Sequence, residues 1–255
     1  MDLRIAGKTA LVTGASSGLG EAVALALAGE GVKLALAARR IDRLETVAAN
    51  ACELGAPDAR GFELDLQDPE SVAAAIAAVS GTCGPPDILV LNGGGPKAGR
   101  FGDLTLADWD GAYRLLLRGM LELLAAAVPP MRAKHWGRIV ALTSTSVKQP
   151  IDNLLLSNAF RTALVATLRT LAVDVAPDGI TVNSIATGRI ETARLRSLYG
   201  DDAKLRAAGS EVPIGRVATP AEFAPLAVFL CGEPAGYVTG QTISVDGGLT
   251  RGLFG

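Results

Sequence analysis

Sulfur and imidazole are scarce in this chain: its 255 residues include three cysteines, Cys52, Cys83 and Cys231, and a single histidine, His135. Groups so far apart in sequence assemble neither a disulfide framework nor a zinc-ligand spacing, so no metal site is expected and a reducing, cytoplasmic setting suits the chain. Aromatic residues make up only 4%. The core must therefore be built from Ala, Val, Leu and Ile, the composition of helices packed on a parallel sheet. Neither sign of charge dominates: the formal net charge is −2 and no run of five like charges occurs. That balance excludes the electrostatic footprint of a nucleic-acid or anionic-membrane binder and leaves a small-molecule substrate as the expected partner. Long apolar runs are missing too. Charges interrupt every apolar stretch before the roughly 18 residues a membrane span requires, and no charged start followed by an apolar run marks an export signal.

What the chain does have is alternation. Short apolar runs at residues 9–13, 32–38, 62–66, 88–91, 139–143, 180–185 and 242–245 read as buried strands. Between them, apolar residues three or four apart, such as Leu19, Val23 and Leu27 or Val72, Ile76 and Val79, read as helices. With no linker and no repeat, residues 1–255 are expected to form a single α/β domain. Its doubly wound parallel sheet has about seven strands in the order 3-2-1-4-5-6-7, with helices on both faces. A chain of this length buries roughly 70 to 75% of its unfolded surface, enough for one large core. Two regions depart from the alternation. Residues 92–108 form a Gly-rich loop with Pro96 after a strand end, where such sheets place ligands. Residues of about 190–212, rich in charge around Leu195, Leu198, Tyr199 and Leu205, read as short helices forming a small mobile lid.

The first strand runs into Thr13-Gly14-Ala15-Ser16-Ser17-Gly18-Leu19-Gly20, followed at once by a helical pattern. Dinucleotide binding explains the spacing: Gly14 permits the tight turn, Gly18 lets the backbone approach a pyrophosphate, and Gly20 lets the helix pack on the strand with its N-terminus towards the anion. An ordinary Gly-rich turn is the alternative, weakened by the strand before and the helix after. Nineteen residues past Gly20, where an NAD site offers a carboxylate to the ribose, stand Arg39 and Arg40. Guanidinium groups there suit the 2′-phosphate of NADP(H), which is expected to be preferred over NAD(H); they are also what a solvated helix start would present.

Together these features resemble the short-chain dehydrogenase/reductase family over nearly the whole chain, and most of all its β-ketoacyl-carrier-protein reductases. The glycine turn matches the family's TGxxxGxG. Asp65-Leu66 matches its adenine contact, and Asn92-Gly93-Gly94 matches the end of its NNAG. Gly137-Arg138-Ile139-Val140, residues 179–183 and residues 240–248 look like its later strands. The resemblance implies a tetrad of Asn, Ser, Tyr and Lys for chemistry, and of these only the Ser survives, as Ser144. Its hydroxyl would hydrogen-bond a substrate carbonyl, or merely cap the strand end. Where the family has Tyr and then Lys four residues on, this chain has Ser157 and Arg161, still one helical turn apart and on one face. The family's Asn falls on Leu116, most simply a core residue. Ala186-Thr187-Gly188 stands where the family has Pro-Gly, while Gly188, Ile190 and Thr192 match its nicotinamide and phosphate contacts.

Proton affinity makes the departures matter. A tyrosine with a pKa of about 10 can be lowered by an adjacent ammonium, whereas a serine alcohol is a far weaker acid and a guanidinium does not release its proton. The catalytic set expected from sequence is therefore Ser144, Ser157 and Arg161. The cofactor set is Gly14, Ser16, Ser17, Gly18, Leu19, Gly20, Arg39, Arg40, Asp65, Leu66, Asn92, Gly93, Gly94, Arg161, Gly188, Ile190 and Thr192. Tyr113, His135, Lys148 and Tyr199 are the candidates to replace the lost tyrosine. The expected function is an NADP(H)-dependent oxidoreductase acting on a carbonyl or alcohol, a 3-oxoacyl thioester among them. The alternative is a cofactor-binding protein without turnover that regulates a partner. By resemblance the chain forms a homo-oligomer, a tetramer, with the apolar segment 247–255 (Leu249, Leu253, Phe254) suited to a subunit contact.

Overall fold

The structure, a computed structural model, describes residues 1–253. Strands β1 (Thr9–Thr13), β2 (Lys33–Ala38), β3 (Ala59–Glu63), β4 (Ile88–Leu91), β5 (Gly137–Leu142), β6 (Ile180–Thr187) and β7 (Thr242–Val245) form one sheet, all parallel, in the order β3-β2-β1-β4-β5-β6-β7. The crossovers run through α1 (Gly18–Gly29), α2 (Ile41–Glu53), α3 (Pro69–Cys83), α4 (Leu106–Tyr113), α5 (Gly119–Lys134) and α6 (Leu155–Val175). Helices α7 (Ala193–Tyr199), α8 (Asp202–Ser210) and α9 (Pro220–Leu230) lie between β6 and β7. Both the sheet and its order are those expected from the alternation of periods.

Successive strand residues point to opposite faces, and the core divides accordingly. From β1, Ala10 and Val12 enter a cluster with Val23 and Leu27 of α1, Leu44 of α2 and Phe223 of α9. Leu11, between them, enters a second cluster with Val72 and Val79 of α3, Met131 of α5 and Leu164 of α6. Both layers thus depend on strands that are apolar on both faces, which is why those strands read as unbroken apolar runs.

Several boundaries differ from the sequence-based ones. The third strand is Ala59–Glu63, not 62–66, because its limits follow the pairing of Leu34 with Ala59 through Ala38 with Glu63. As an edge strand it is half-exposed and carries Arg60, so hydrophobicity marks it poorly. Gly61 belongs to it for a packing reason: a Cβ there would sit 2.9 Å from Leu44 Cβ of α2. Asp65 and Leu66 consequently lie beyond the strand, in the turn before α3. Smaller shifts affect β2, which starts at Lys33, β5, which starts at Gly137 and stops at Leu142, and β6, which runs on to Thr187 because β7 pairs with it there. The loop after β4 ends earlier than 108, since Thr105 caps α4 by accepting from Asp108 N at 3.2 Å.

The segment 190–212 contains two short helices, α7 and α8, capped by Thr192 and Asp201. Leu253 is 93% exposed, and Phe254 lies outside the described residues. Among the described residues no helix is long and apolar enough to cross a membrane, and no group of three or more His, Cys, Asp or Glu side chains stands close enough to hold a metal ion.

Candidate active site

The carboxyl ends of β1, β4, β5 and β6 open into a cleft of about 380 Å³, the position at which open α/β sheets hold ligands. Its floor is tied together by the strand ends. Thr13 Oγ1 donates to Asn92 O at 2.8 Å and accepts from Asn92 N at 2.8 Å, and Asn92 Nδ2 reaches Gly14 O at 3.4 Å. This joins the glycine turn to the loop after β4.

Each glycine of the turn is required by a different contact. Gly14 has φ +61°, a left-handed conformation, and a Cβ there would lie 2.7 Å from Asn92 Nδ2. Gly18 has φ +64° and faces Thr192 Cγ2, 3.3 Å from a notional Cβ. Gly20 is helical, but a Cβ on it would stand 2.3 Å from Gly14 O. No side chain caps α1, whose N-cap residue is Ser17, so its first-turn N–H groups keep their capacity for an anion. The Ser16 and Ser17 hydroxyls instead accept from Arg40 Nη2 at 3.0 and 2.7 Å. Arg40 therefore braces the turn, and Arg39 lines the same end of the cleft. Asp65 and Leu66 reach this end from the turn after β3; the Asp65 carboxylate accepts from Gln67 N at 3.0 Å.

Towards the other end, Ser144 follows β5. Its Oγ accepts from Ser146 N at 3.1 Å, capping a 3₁₀ turn at Thr145–Val147, and its own hydroxyl proton is left for another acceptor in the cleft. Capping and substrate contact are thus compatible at this one serine. Ser157, in the first turn of α6, is buried, with its Oγ 3.4 Å from Ser146 Oγ. Arg161, one turn later, spans the cleft wall: Nη1 donates to Leu142 O at 3.2 Å and Nη2 to Gly94 O at 3.3 Å. Burial, and then the charge of Arg194, push the Arg161 guanidinium down to about 10. Gly188 allows close contact with β7, since a Cβ there would lie 2.5 Å from Asp246 Cα. Ile190 is buried, and Thr192 caps α7. Leu116 is buried, as expected of core packing, within a π-helical turn at Arg114–Arg118.

None of the four substitutes considered for the missing tyrosine lines the cleft. Tyr113 packs against Phe160, ring centroids 6.0 Å apart. His135 ends α5 in a left-handed conformation, Lys148 ends the 3₁₀ turn, and Tyr199 lies under the Arg189 guanidinium at 5.9 Å. Sequence reasoning missed three features. Ser146, two residues past Ser144, pairs with Ser157; Thr187 Oγ1 is buried in the cleft wall without a partner; and Arg194 reaches Pro96 O at 2.7 Å. Only the last had a visible signal, an arginine two residues after the recognised Thr192.

A family model described as Enoyl-(Acyl carrier protein) reductase, of the short-chain dehydrogenase/reductase group, matches residues 14–250. The chain belongs to the short-chain dehydrogenase/reductase family. It is 30% identical over 249 residues to a 3-oxoacyl-[acyl-carrier-protein] reductase FabG of Aquifex aeolicus, covering 98% of this chain and 100% of that one. It is 31% identical over 261 residues to a D-beta-hydroxybutyrate dehydrogenase of Rhizobium meliloti, covering 95% and 98%. The L-sorbose reductase of Gluconobacter frateurii, solved with NADPH and L-sorbose, superposes with a TM-score of 0.94 at 34% identity, covering 99% of this chain and 100% of that one. As a short-chain dehydrogenase/reductase the protein is an oxidoreductase that uses a nicotinamide cofactor.

Proposed function

We propose that this protein is an NADP(H)-dependent reductase or dehydrogenase that interconverts a carbonyl and an alcohol, with Ser144, Ser157 and Arg161 in place of the family's Ser-Tyr-Lys arrangement. The observation that carries the proposal is the cradle at the start of α1. Glycines at 14, 18 and 20 leave no room for a Cβ or adopt a left-handed turn, the first-turn amides are uncapped, and Arg39 and Arg40 stand at its edge. A dinucleotide fits this donor set: the α1 amides for the diphosphate, the two arginines for a 2′-phosphate, Asp65 and Leu66 for the adenine, and Asn92, Gly93 and Gly94 along the ribose. Thr187 Oγ1, buried and unpartnered, supplies a further hydrogen-bonding group where Gly188, Ile190 and Thr192 would face the nicotinamide.

When bound, the nicotinamide supplies or accepts the hydride. The chain's own residues orient the other reactant and stabilise its charge. The Ser144 hydroxyl, already fixed by its bond from Ser146 N, donates to the substrate oxygen. Arg161, held on two backbone carbonyls, holds ribose hydroxyls and stabilises a developing oxyanion as a fixed charge. Neither serine is acidic enough to act as the tyrosine does, so the proton comes from water, and the rate is lower by about 10²- to 10⁴-fold, or roughly 3 to 5 kcal/mol. The 190–212 segment, which brings Leu195 and Leu198 to the cleft, is the part that closes over the substrate. The relatives' names range over a 3-oxoacyl thioester, a hydroxy acid and a ketose, which share only the carbonyl/alcohol pair.

Titration calorimetry with NADPH and NADH, followed by single-turnover oxidation of bound NADPH over a panel of ketones and 3-oxoacyl thioesters, tests the proposal. Tighter binding of NADPH and oxidation by at least one carbonyl compound are expected. Equal affinity for the two nucleotides removes the 2′-phosphate assignment. Binding without oxidation above background makes the chain a cofactor-binding protein without turnover.

A further inference from the structure

Among the described residues, the substrate end of the cleft contains two guanidinium groups and no carboxylate. Arg161 Nη2 donates to Gly94 O and Arg194 Nη2 to Pro96 O, so residues 94–96 carry an arginine at each end. Among the described residues neither arginine forms an ion pair, although eleven such pairs occur elsewhere. Asp65, the one acid among the described residues lining the cleft, lies beyond β3, beside the end of β2 that carries Arg39 and Arg40. The two arginines of the substrate end are close enough that the charge of Arg194 lowers the Arg161 guanidinium.

Two like charges fixed on one loop repel, and each guanidinium keeps N–H groups beyond its carbonyl contacts, two for Arg161 and one for Arg194. The cofactor does not account for both. Its diphosphate falls to the α1 amides and its 2′-phosphate to Arg39 and Arg40, which leaves Arg194 with no anion of its own. Arg194 is exposed at the cleft mouth, and Leu154, Leu195, Leu198 and Pro96 are among the apolar residues that line the same cleft. A guanidinium held at a cleft mouth offers an oxyanion charge-assisted hydrogen bonds that a neutral group of the same size does not receive.

Resting on the proposed function, we infer that Arg194, with Arg161 behind it, selects substrates that carry an anionic oxygen group, a carboxylate or a phosphate, close to the reacting carbonyl or alcohol. The substrate is then a small oxo or hydroxy acid, or a phosphorylated ketone or alcohol. Neutral ketones of the same size bind the same apolar wall without neutralising the arginines.

The test uses the full chain saturated with NADP+ and titrated calorimetrically with three unreactive probes: butyrate, propyl phosphate and the neutral butyramide. At least one of the two anions binds tenfold or more tightly than the amide, and whichever anion is preferred identifies the group. Arg194→Gln reduces that preference tenfold or more while the NADPH dissociation constant stays within twofold, and Arg194→Lys restores part of it. Equal binding of charged and neutral probes, or an unchanged preference in Arg194→Gln, overturns the inference. So does an equal loss of NADPH and anion affinity, which makes Arg194 a cofactor contact. A protein that takes up no NADP+ refutes the proposed function and this inference with it, whereas one that binds NADP+ and ignores probe charge refutes only the latter.

Discussion

Replacing Gly20 by Ala puts a methyl group where the chain has no room. In a helix interior the change normally stabilises by about 1 kcal/mol, because glycine has more backbone freedom to lose. Here the new Cβ would stand 2.3 Å from Gly14 O and 2.7 Å from Gly14 C. Both are backbone atoms of a turn already held by Asn92, so no flexible side chain can yield. Ordinary contact begins near 3.4 Å, so α1 must move away from the turn by about 1 Å. Overpacking of this kind costs about 1 to 3 kcal/mol of stability. The same displacement draws the first-turn amides from the diphosphate. Losing one hydrogen bond to a charged group, at about 1.5 to 3 kcal/mol, weakens NADPH binding by roughly 10- to 100-fold. Gly29, the last residue of the same helix, is the internal control. Nothing lies within 4 Å of its notional Cβ, so Gly29→Ala leaves both affinity and stability intact or slightly improved. Titration calorimetry with NADPH, paired with denaturant melts, measures both quantities. An unchanged NADPH affinity in a folded Gly20→Ala protein would refute the claim that the start of α1 grips the cofactor.

Arg39→Ala is expected to weaken NADPH binding more than tenfold while leaving NADH binding within twofold, measured by fluorescence titration; parallel losses would show that Arg39 does not contact a 2′-phosphate. Ser157→Tyr combined with Arg161→Lys restores the family's proton relay, and single-turnover NADPH oxidation should rise by about 10²- to 10⁴-fold, with no gain if the serine already works through another acid. Arg216 and the Thr219 backbone amide hold the Glu222 carboxyl at about 2, below its ordinary value of 4.5, within the capping box of α9. A depressed acid stabilises the fold above its unfolded pKa, and that contribution disappears as pH falls through the folded one. Glu222→Gln should therefore lower Tm at pH 7 and have no effect near pH 2, and an equal decrease at both would point to lost packing instead of charge. Leu27→Ala removes a fully buried side chain from the layer under α1, and about 2 to 5 kcal/mol of stability should go with it, read as a lower denaturant midpoint.

The class of sheet and its strand order were legible in the sequence, because buried strands and helices leave local periods and doubly wound sheets connect them in few ways, and the glycine turn was legible as the place to propose a cofactor cradle. A buried parallel strand must be apolar on both faces, as Ala10, Leu11 and Val12 are, and the glycines at 14 and 20 are needed for contacts within a dozen residues or with the adjacent strand end, while Gly18 needs its left-handed turn. The spacing of Ser157 and Arg161 was legible for the same reason, since helical periodicity places them on one face whatever surrounds them. Tertiary structure alone decided the limits of β3, which follow pairing with β2 and not the chain's own hydrophobicity. It alone excluded Tyr113, His135, Lys148 and Tyr199 from the cleft walls, and it alone brought Arg194 to residues 94–96, across 98 positions of chain. Which charges face one another across a cleft depends on how distant segments pack, and no period or propensity in one stretch of sequence records the position of another.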